Sequence, residues 1–268
     1  MQNFIQKYRY SYILLKELVK TDFKLRYQGS ILGYMWSLLR PLFLFVILYI
    51  VFVRLLKVGS GIPHYPVYLL LGIVIWNYFA EVTAGGVSSI VGRGDLLRKI
   101  NFPKYVILLS VSLSGFINLV LNFIVIAIFM FFSGVTLGYS AFLIVPIIIE
   151  LFIFSLGVSF LLSTLYVKFR DVSYIWEVIM QAAFYATPII YSLNILSDRF
   201  QKLLLLNPMA QIIQEARYVL ITKKTITIEH VFKGNLIASM SPIILVIVIT
   251  ILSSLYFKRK SKNFAEEI

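Results

Sequence analysis

The chain has 268 residues, 60% hydrophobic and only 14% charged, with a formal net charge of +13. Soluble domains carry about 25% charged residues, so the composition excludes an ordinary soluble globule. The absence of cysteine excludes disulfides, thiol chemistry and cysteine metal sites. Histidine occurs only at His64 and His230, too few for a histidine-rich metal site or a His-based triad of ordinary form. A basic excess can signal nucleic acid. Here, however, Lys and Arg cluster at the ends of apolar runs, the pattern of membrane topology, and no nucleic-acid partner is expected.

Residues 1–26 carry six Lys and Arg interspersed with apolar residues, so no cleavable signal peptide is expected. In the same stretch Phe4, Tyr8, Tyr12, Leu15, Val19 and Phe23 recur at spacings of three and four, one stripe of a helix. The pattern predicts an amphipathic helix within residues 1–30. It would lie in the cytoplasmic interface with its apolar stripe in lipid and its cations toward anionic headgroups. A soluble amphipathic helix packed on a partner protein is the alternative.

Six apolar runs reach the ~20 residues that cross a ~30 Å hydrocarbon core. They lie near 31–53, 67–91, 105–132, 141–167, 172–191 and 236–257. The connections are 54–66, 92–104, 133–140, 168–171 and 192–235. The expected architecture is an all-α integral membrane protein, with 31–257 a six-span domain and 258–268 a basic cytoplasmic tail. With both termini cytoplasmic, the inner side holds sixteen Lys and Arg, from Lys7 to Lys262, and the outer side eight. Six of those eight, including Arg217, fall in the long loop 192–235, where the positive-inside rule is weak. Both termini inside therefore accounts best for the charges and for an even span count.

Within that loop Asn207-Pro208 marks a break. Met209, Ile212, Ile213, Ala216, Val219 and Leu220 then form a second helical stripe. A broken pair of short helices dipping into the outer leaflet is expected, and non-helical backbone at that depth requires cover by protein or a cavity.

Ionisable residues inside spans are functional candidates by default; here they are Arg40, Glu81, Glu150 and Glu177. The three carboxylates show no paired spacing and no adjacent His, so each reads as a buried, protonated, hydrogen-bonded Glu or as a proton relay. Arg40 precedes Pro41, which loosens the first span. Its side chain either snorkels to the cytoplasmic surface or forks onto a phosphate-bearing substrate. Tyr34, Trp36, Trp76 and Tyr78 are candidates for interfacial belts. Phe43, Phe45, Tyr49 and Phe52 on the first span, with Trp176, Phe184, Tyr185 and Tyr191 on the fifth, are candidates to line an aromatic path. Aromatic faces stack on sugar rings and tolerate sliding, which suits a glycan.

No Walker A sequence is present, so this chain is not expected to bind ATP through a P-loop. Arg93-Gly94-Asp95 spells an adhesion tripeptide that is accidental on a cytoplasmic connector. That connector, 92–103, holds Asp95 as a candidate helix N-cap and Pro103 as a stop. The one or two turns from Leu96 to Asn101 are too short to be stable alone in water. They carry an apolar face, Leu96, Leu97 and Ile100, beside Arg98 and Lys99, as if to dock on a partner.

In five stretches the sequence resembles the membrane-spanning subunits of type-2 ABC exporters for cell-surface polysaccharides, which include the O-antigen, teichoic acid and rhamnan exporters. These are LKELVKTDFKLRYQGSILGYMWSLLRPL (15–42), GDLLRKINFP (94–103), YVKFRDV (166–172), ATPIIYSL (186–193) and LNPMAQIIQEARYVL (206–220). The resemblance implies a homodimer working with two copies of an ATPase subunit that binds ATP and Mg2+, and no cofactor in this chain. It implies that Asp95, Leu96, Leu97, Arg98, Lys99 and Ile100 form a coupling helix seated in that ATPase, with Arg170 and Asp171 in a second contact. It further implies a path at the dimer axis along the first and fifth spans, with Arg40, Phe43, Tyr49, Trp176, Phe184 and Tyr185 as its candidate residues. The substrate would be a glycan on undecaprenyl diphosphate, moved across the cytoplasmic membrane of a bacterium. Arg40 departs from many relatives, which place an uncharged residue before the proline. The competing readings are a type-2 exporter of a small drug or lipid and a membrane glycosyltransferase or acyltransferase. The latter needs clustered acids or His, where this chain offers scattered Glu.

Overall fold

The computed structural model describes residues 2–26, 29–30, 32–55, 61–100, 102–232 and 234–268. Among them the secondary structure is helical throughout. In chain order the helices are α1 (Gln2–Arg26), α2 (Trp36–Leu48), α3 (Tyr65–Ser89), α4 (Gly94–Lys99), α5 (Tyr105–Phe132) and α6 (Ile144–Lys168). They continue as α7 (Val172–Ala186), α8 (Asp198–Leu205), α9 (Pro208–Leu220), α10 (Ile228–Phe232), α11 (Leu236–Lys260) and α12 (Phe264–Glu267). A π-helical stretch, Tyr49–Leu55, prolongs α2.

Among the described residues four helices are long and apolar enough to cross a membrane: α3, α5, α6 with its preceding turn, and α11. The first and fifth expected spans are shorter as α-helix. The α-helix of the first run begins only at Trp36, after a 3-10 turn. Pro41 sits in its second turn, and a proline cannot donate to the carbonyl four residues back. That carbonyl, of Ser37, instead accepts a hydrogen bond from the Asn122 side chain of α5 at 3.2 Å. The fifth run ends at Ala186 rather than near residue 191, because Thr187 precedes Pro188 and is held extended (φ −87°, ψ 139°). Its 15 residues span about 22 Å at 1.5 Å per residue.

α3 is the central element. In its most apolar 18-residue window 78% of the residues are buried, against 17% in α11, so α3 is surrounded by protein while α11 presents a wide apolar face outward. Trp76 and Tyr78 are buried on α3 at 5% and 3% exposure, so they belong to the core and not to an interfacial belt. Tyr34 lies outside the described side chains. The most extensive helix pairing is α6 with α11. Gly157 permits it: a Cβ there would lie 2.9 Å from Thr250 Cα. The close approach lets the Thr250 hydroxyl donate to the Ile153 carbonyl across the crossing (3.2 Å). Small residues allow such contacts between apolar helices. Gly157→Val is expected to wedge the pair apart at about 1–3 kcal/mol, read as a lower apparent melting temperature in detergent, with Gly157→Ala showing a smaller fall.

α1 packs on the protein through a face that overlaps the expected stripe at Leu15. Leu14, Leu15 and Leu18 pack on a cluster containing Ile90, Leu97, Phe102 and Val106, with Ser11 buried on the same side. Tyr12 is 67% exposed, while Phe4, Tyr8 and Phe23 lie outside the described side chains. The inward face thus runs 11, 14, 15, 18 and 22. Its last member is an acid, Asp22, paired with Arg93 and accepting from Ser110 Oγ at 3.2 Å.

Candidate coupling surface and conduit

α4 occupies six residues after a 3-10 turn, Val91–Arg93. Asp95 is not its N-cap. The helix starts at Gly94 with Arg93 in the capping position, and Asp95 sits in the first turn, where its charge favours the helix N-terminus. Asn101 lies outside the described residues. Leu97 is likewise corrected: at 7% exposure it belongs to this chain's own core. Leu96 is half-buried against the same cluster. Arg98, Lys99 and Ile100 remain exposed, with Asp95 beside them.

Four elements, α1, α6, α11 and α12, brace α4. Arg93 ties it to α1 through Asp22. Leu97 shares its cluster with Val167, at the end of α6, and Phe257 of α11. The segment after α11 is more than a basic tail. Phe264 is 1% exposed, packs edge-on against Phe257 (centroids 5.4 Å apart), and α12 touches both α4 and α6. Ile268 lies so close to Gly94 that a Cβ there would stand 2.8 Å from its Cγ2. Phe264 and Ile268, isolated apolar residues in a polar run, were the sequence signal. Arg170, exposed, lies over the Tyr166 ring at 5.1 Å, and Asp171 is the exposed residue preceding α7.

Along α3 two cavities flank a shared ridge, Asn77, Ala80 and Ala84. On one side an open groove of about 740 Å³ is lined by Trp76, Trp176, Glu177, Phe184 and Tyr185. Trp176 is oriented by an indole N–H donated to Thr83 Oγ1 at 3.1 Å, and Trp76 stands edge-on to Phe184 (5.9 Å). On the other side, between α2, α3 and α5, a cavity of about 640 Å³ is lined by Arg40, Glu81 and three asparagines, Asn77, Asn118 and Asn122. Asn118 donates to Glu81 at 2.9 Å. Of the expected path residues, Trp176, Phe184 and Tyr185 thus share the groove, and Arg40 lines the neighbouring cavity. Phe43 is 55% exposed and Tyr49 packs on Phe45 (5.8 Å), neither of them lining the groove. Phe45 itself is buried against Phe129.

α9 is enclosed by protein on every side of the helix. The whole stripe Met209, Ile212, Ile213, Ala216, Val219 and Leu220 is buried, and so are Gln211, Gln214 and Arg217 of the opposite face. Asn207 caps the helix by accepting from Met209 N–H, with Pro208 at its first position. Arg217, counted among the loop cations in sequence, is fully buried. Its guanidinium donates to the carbonyls of Tyr68 (3.0 Å), Pro188 and Ile189 (both 2.6 Å) and stacks on the Tyr68 ring at 3.6 Å. Tyr65 donates to the next carbonyl, Ile190. These donors satisfy backbone that α7 abandons at Thr187. Glu150 is met by the Gln211 amide at 3.4 Å, a helix-to-helix hydrogen bond.

Residues 13–221 match the profile of the family described as ABC-2 type transporter. The chain belongs to the ABC-2 type transporter family. An O-antigen export system permease protein RfbA of Klebsiella pneumoniae is 33% identical over 210 residues, 77% of this chain and 80% of that protein. The RfbA of Myxococcus xanthus is 27% identical over 264 residues, 95% of each chain. Membership makes this ABC-2 chain a multi-pass membrane transport subunit and implies an ABC ATPase as its partner.

Proposed function

We propose that this chain is the permease subunit of an ATP-driven exporter. Its cargo is a cell-surface polysaccharide, a rhamnan, teichoic acid or O-antigen, carried on undecaprenyl diphosphate across the cytoplasmic membrane of a bacterium. The observation that carries the reading is the groove of Trp76, Trp176, Phe184 and Tyr185, in a chain whose relatives are O-antigen export permeases. Ring faces hold pyranose rings by stacking without fixing one register, so a polymer can advance over them.

The working unit is a homodimer of six-span halves with two ATPase copies, which bind ATP and Mg2+. The termini are cytoplasmic. α2 with its π-helical extension and α7 with the segment following it supply the first and fifth spans. α4 is the coupling helix, with Arg98, Lys99, Ile100, Asp95 and the flank of Leu96 toward the ATPase, and Arg170 and Asp171 form the second contact. Closure of the ATPase dimer on ATP displaces α4, and the braced cluster of Leu97, Val167, Phe257 and Phe264 carries that displacement into α6 and α11. Arg40, Phe43, Tyr49, Trp176, Phe184 and Tyr185 belong to the substrate path. The test is co-purification with the ATPase, followed by glycolipid analysis in a strain depleted of this chain. Accumulation of polyprenyl-linked polymer on the cytoplasmic side is expected; unchanged export after depletion overturns the reading.

A further inference from the structure

The groove between α3 and α7 carries a polar track beside its rings. Ser173, Glu177 and Gln181 line it together with Tyr185. They stand four residues apart on α7 and so form one ridge, with a step of about 6 Å. The adjoining ridge of α7, Trp176, Met180 and Phe184, supplies the aromatic wall, and Ala80 and Ala84 of α3 keep the floor low. Asn77 and Ser88 add polar groups from α3. Glu177 and Gln181 are exposed there rather than buried. Among the described residues neither side chain makes a hydrogen bond or ion pair, so both are free to take a ligand.

The charge on this track has one sign. Among the described residues that line the groove Glu177 alone is charged, and Arg40 belongs to the cavity across the ridge. In the homodimer proposed above, two-fold symmetry presents the same wall twice, so the path meets two such carboxylates. A carboxylate accepts hydrogen bonds and donates none, while a primary amide does both. A sugar ring stacked on the aromatic wall turns its hydroxyls edgewise to the track, where they donate to Glu177 in short, charge-assisted bonds. A polymer with a phosphodiester at every repeat instead brings like charge past Glu177 at every step, in a cleft whose walls focus the field. The diphosphate of the carrier passes only once per chain. We propose that Glu177, with Gln181, is the specificity-determining group of the groove and selects an uncharged, hydroxyl-rich glycan over a polyol-phosphate polymer. The assignment rests on the export reading above and narrows its cargoes to a rhamnan or an uncharged O-antigen.

The test measures ATP-dependent transfer in proteoliposomes by the full chain with its ATPase. Two cargoes share one farnesyl diphosphate carrier: a rhamnose oligomer and a glycerol phosphate oligomer of equal repeat number. At low salt the wild type is expected to move the rhamnose cargo about ten-fold faster, the gap closing as salt screens the groove. Glu177→Gln keeps the shape and removes the charge. It is expected to raise glycerol phosphate transfer about ten-fold and to lower rhamnose transfer about three-fold, through loss of the charge-assisted bonds. The ratio of the two rates then no longer depends on salt. Glu177→Asp is expected to restore the wild-type preference. Neither variant is expected to lower the melting temperature, because Glu177 is exposed and makes no pair among the described residues.

Equal wild-type transfer of the two cargoes, or the reverse preference, overturns the assignment while leaving the export reading intact. So does a preference that survives Glu177→Gln. A fall of both transfers in Glu177→Gln overturns it too, since that marks a structural or proton-relay role in place of charge selection. Absence of ATP-dependent transfer of either cargo by the wild type sinks the export reading itself.

Discussion

Arg217→Ala is expected to be the most destabilising single substitution in the chain, lowering stability by about 3–5 kcal/mol. The side chain is fully buried and donates three hydrogen bonds to main-chain carbonyls, and charge-assisted bonds contribute ~1.5–3 kcal/mol each before losses. Removing it strands the Pro188 and Ile189 carbonyls at the end of α7 and opens a cavity beside Gly72, whose missing Cβ makes room for the guanidinium (2.5 Å from Nη2). Arg217→Lys is not expected to rescue. One ammonium on a flexible stem cannot reach carbonyls on both α3 and the 188–189 segment while stacking on Tyr68. Thermal unfolding in detergent, with an apparent shift on the order of 10 °C, is the measurement. A variant within about 2 °C of wild type would show that the clamp is dispensable.

The second large effect is functional. Reversing charge at both exposed cations of α4, Arg98→Glu with Lys99→Glu, is expected to uncouple ATP hydrolysis from export while the melting temperature stays near wild type. Neither side chain takes part in the braced core of α4, and exposed ion pairs contribute only ~0–1 kcal/mol to folding. At an interface, by contrast, like charges meeting cost several kcal/mol. Export and ATPase rate are read together in reconstituted complexes. Full export by the double variant would remove α4 from the coupling role.

How much of this was legible in sequence depended on which side of each helix carried polar groups. The apolar runs that became α3, α5, α6 and α11 were plain, because only length and hydropathy were needed. The α9 stripe was plain too, with Asn207-Pro208 marking its start. Its other face was not: Arg217 counted as one of the outer-loop cations, since nothing local reveals that a broken α7 leaves carbonyls for an arginine to satisfy. Nor does anything local in α1 reveal that Asp22 pairs with Arg93 across 71 residues of chain. Thr187-Pro188 did announce the end of α7, and a strict reading of the residue before a proline places it there. The aromatic members of the groove were named from composition and position. The asparagines around Arg40 were not, because an Asn inside an apolar run carries no mark of which neighbour it faces.

The braced underside of α4 also bears on how partner choice can change in this family. Arg93 is committed to Asp22, Gly94 to the flank of Ile268, and Leu97 to the cluster with Phe264. A chimera that imports a relative's whole coupling segment would therefore have to import matching positions on α1 and α12 as well. On the coupling role proposed above, exchange of the ATPase is writable cheaply at Asp95, Arg98, Lys99 and Ile100, a vocabulary of four exposed positions on this segment, together with the exposed second contact of Arg170 and Asp171. Orthogonal transporter pairs in one cell would differ there first.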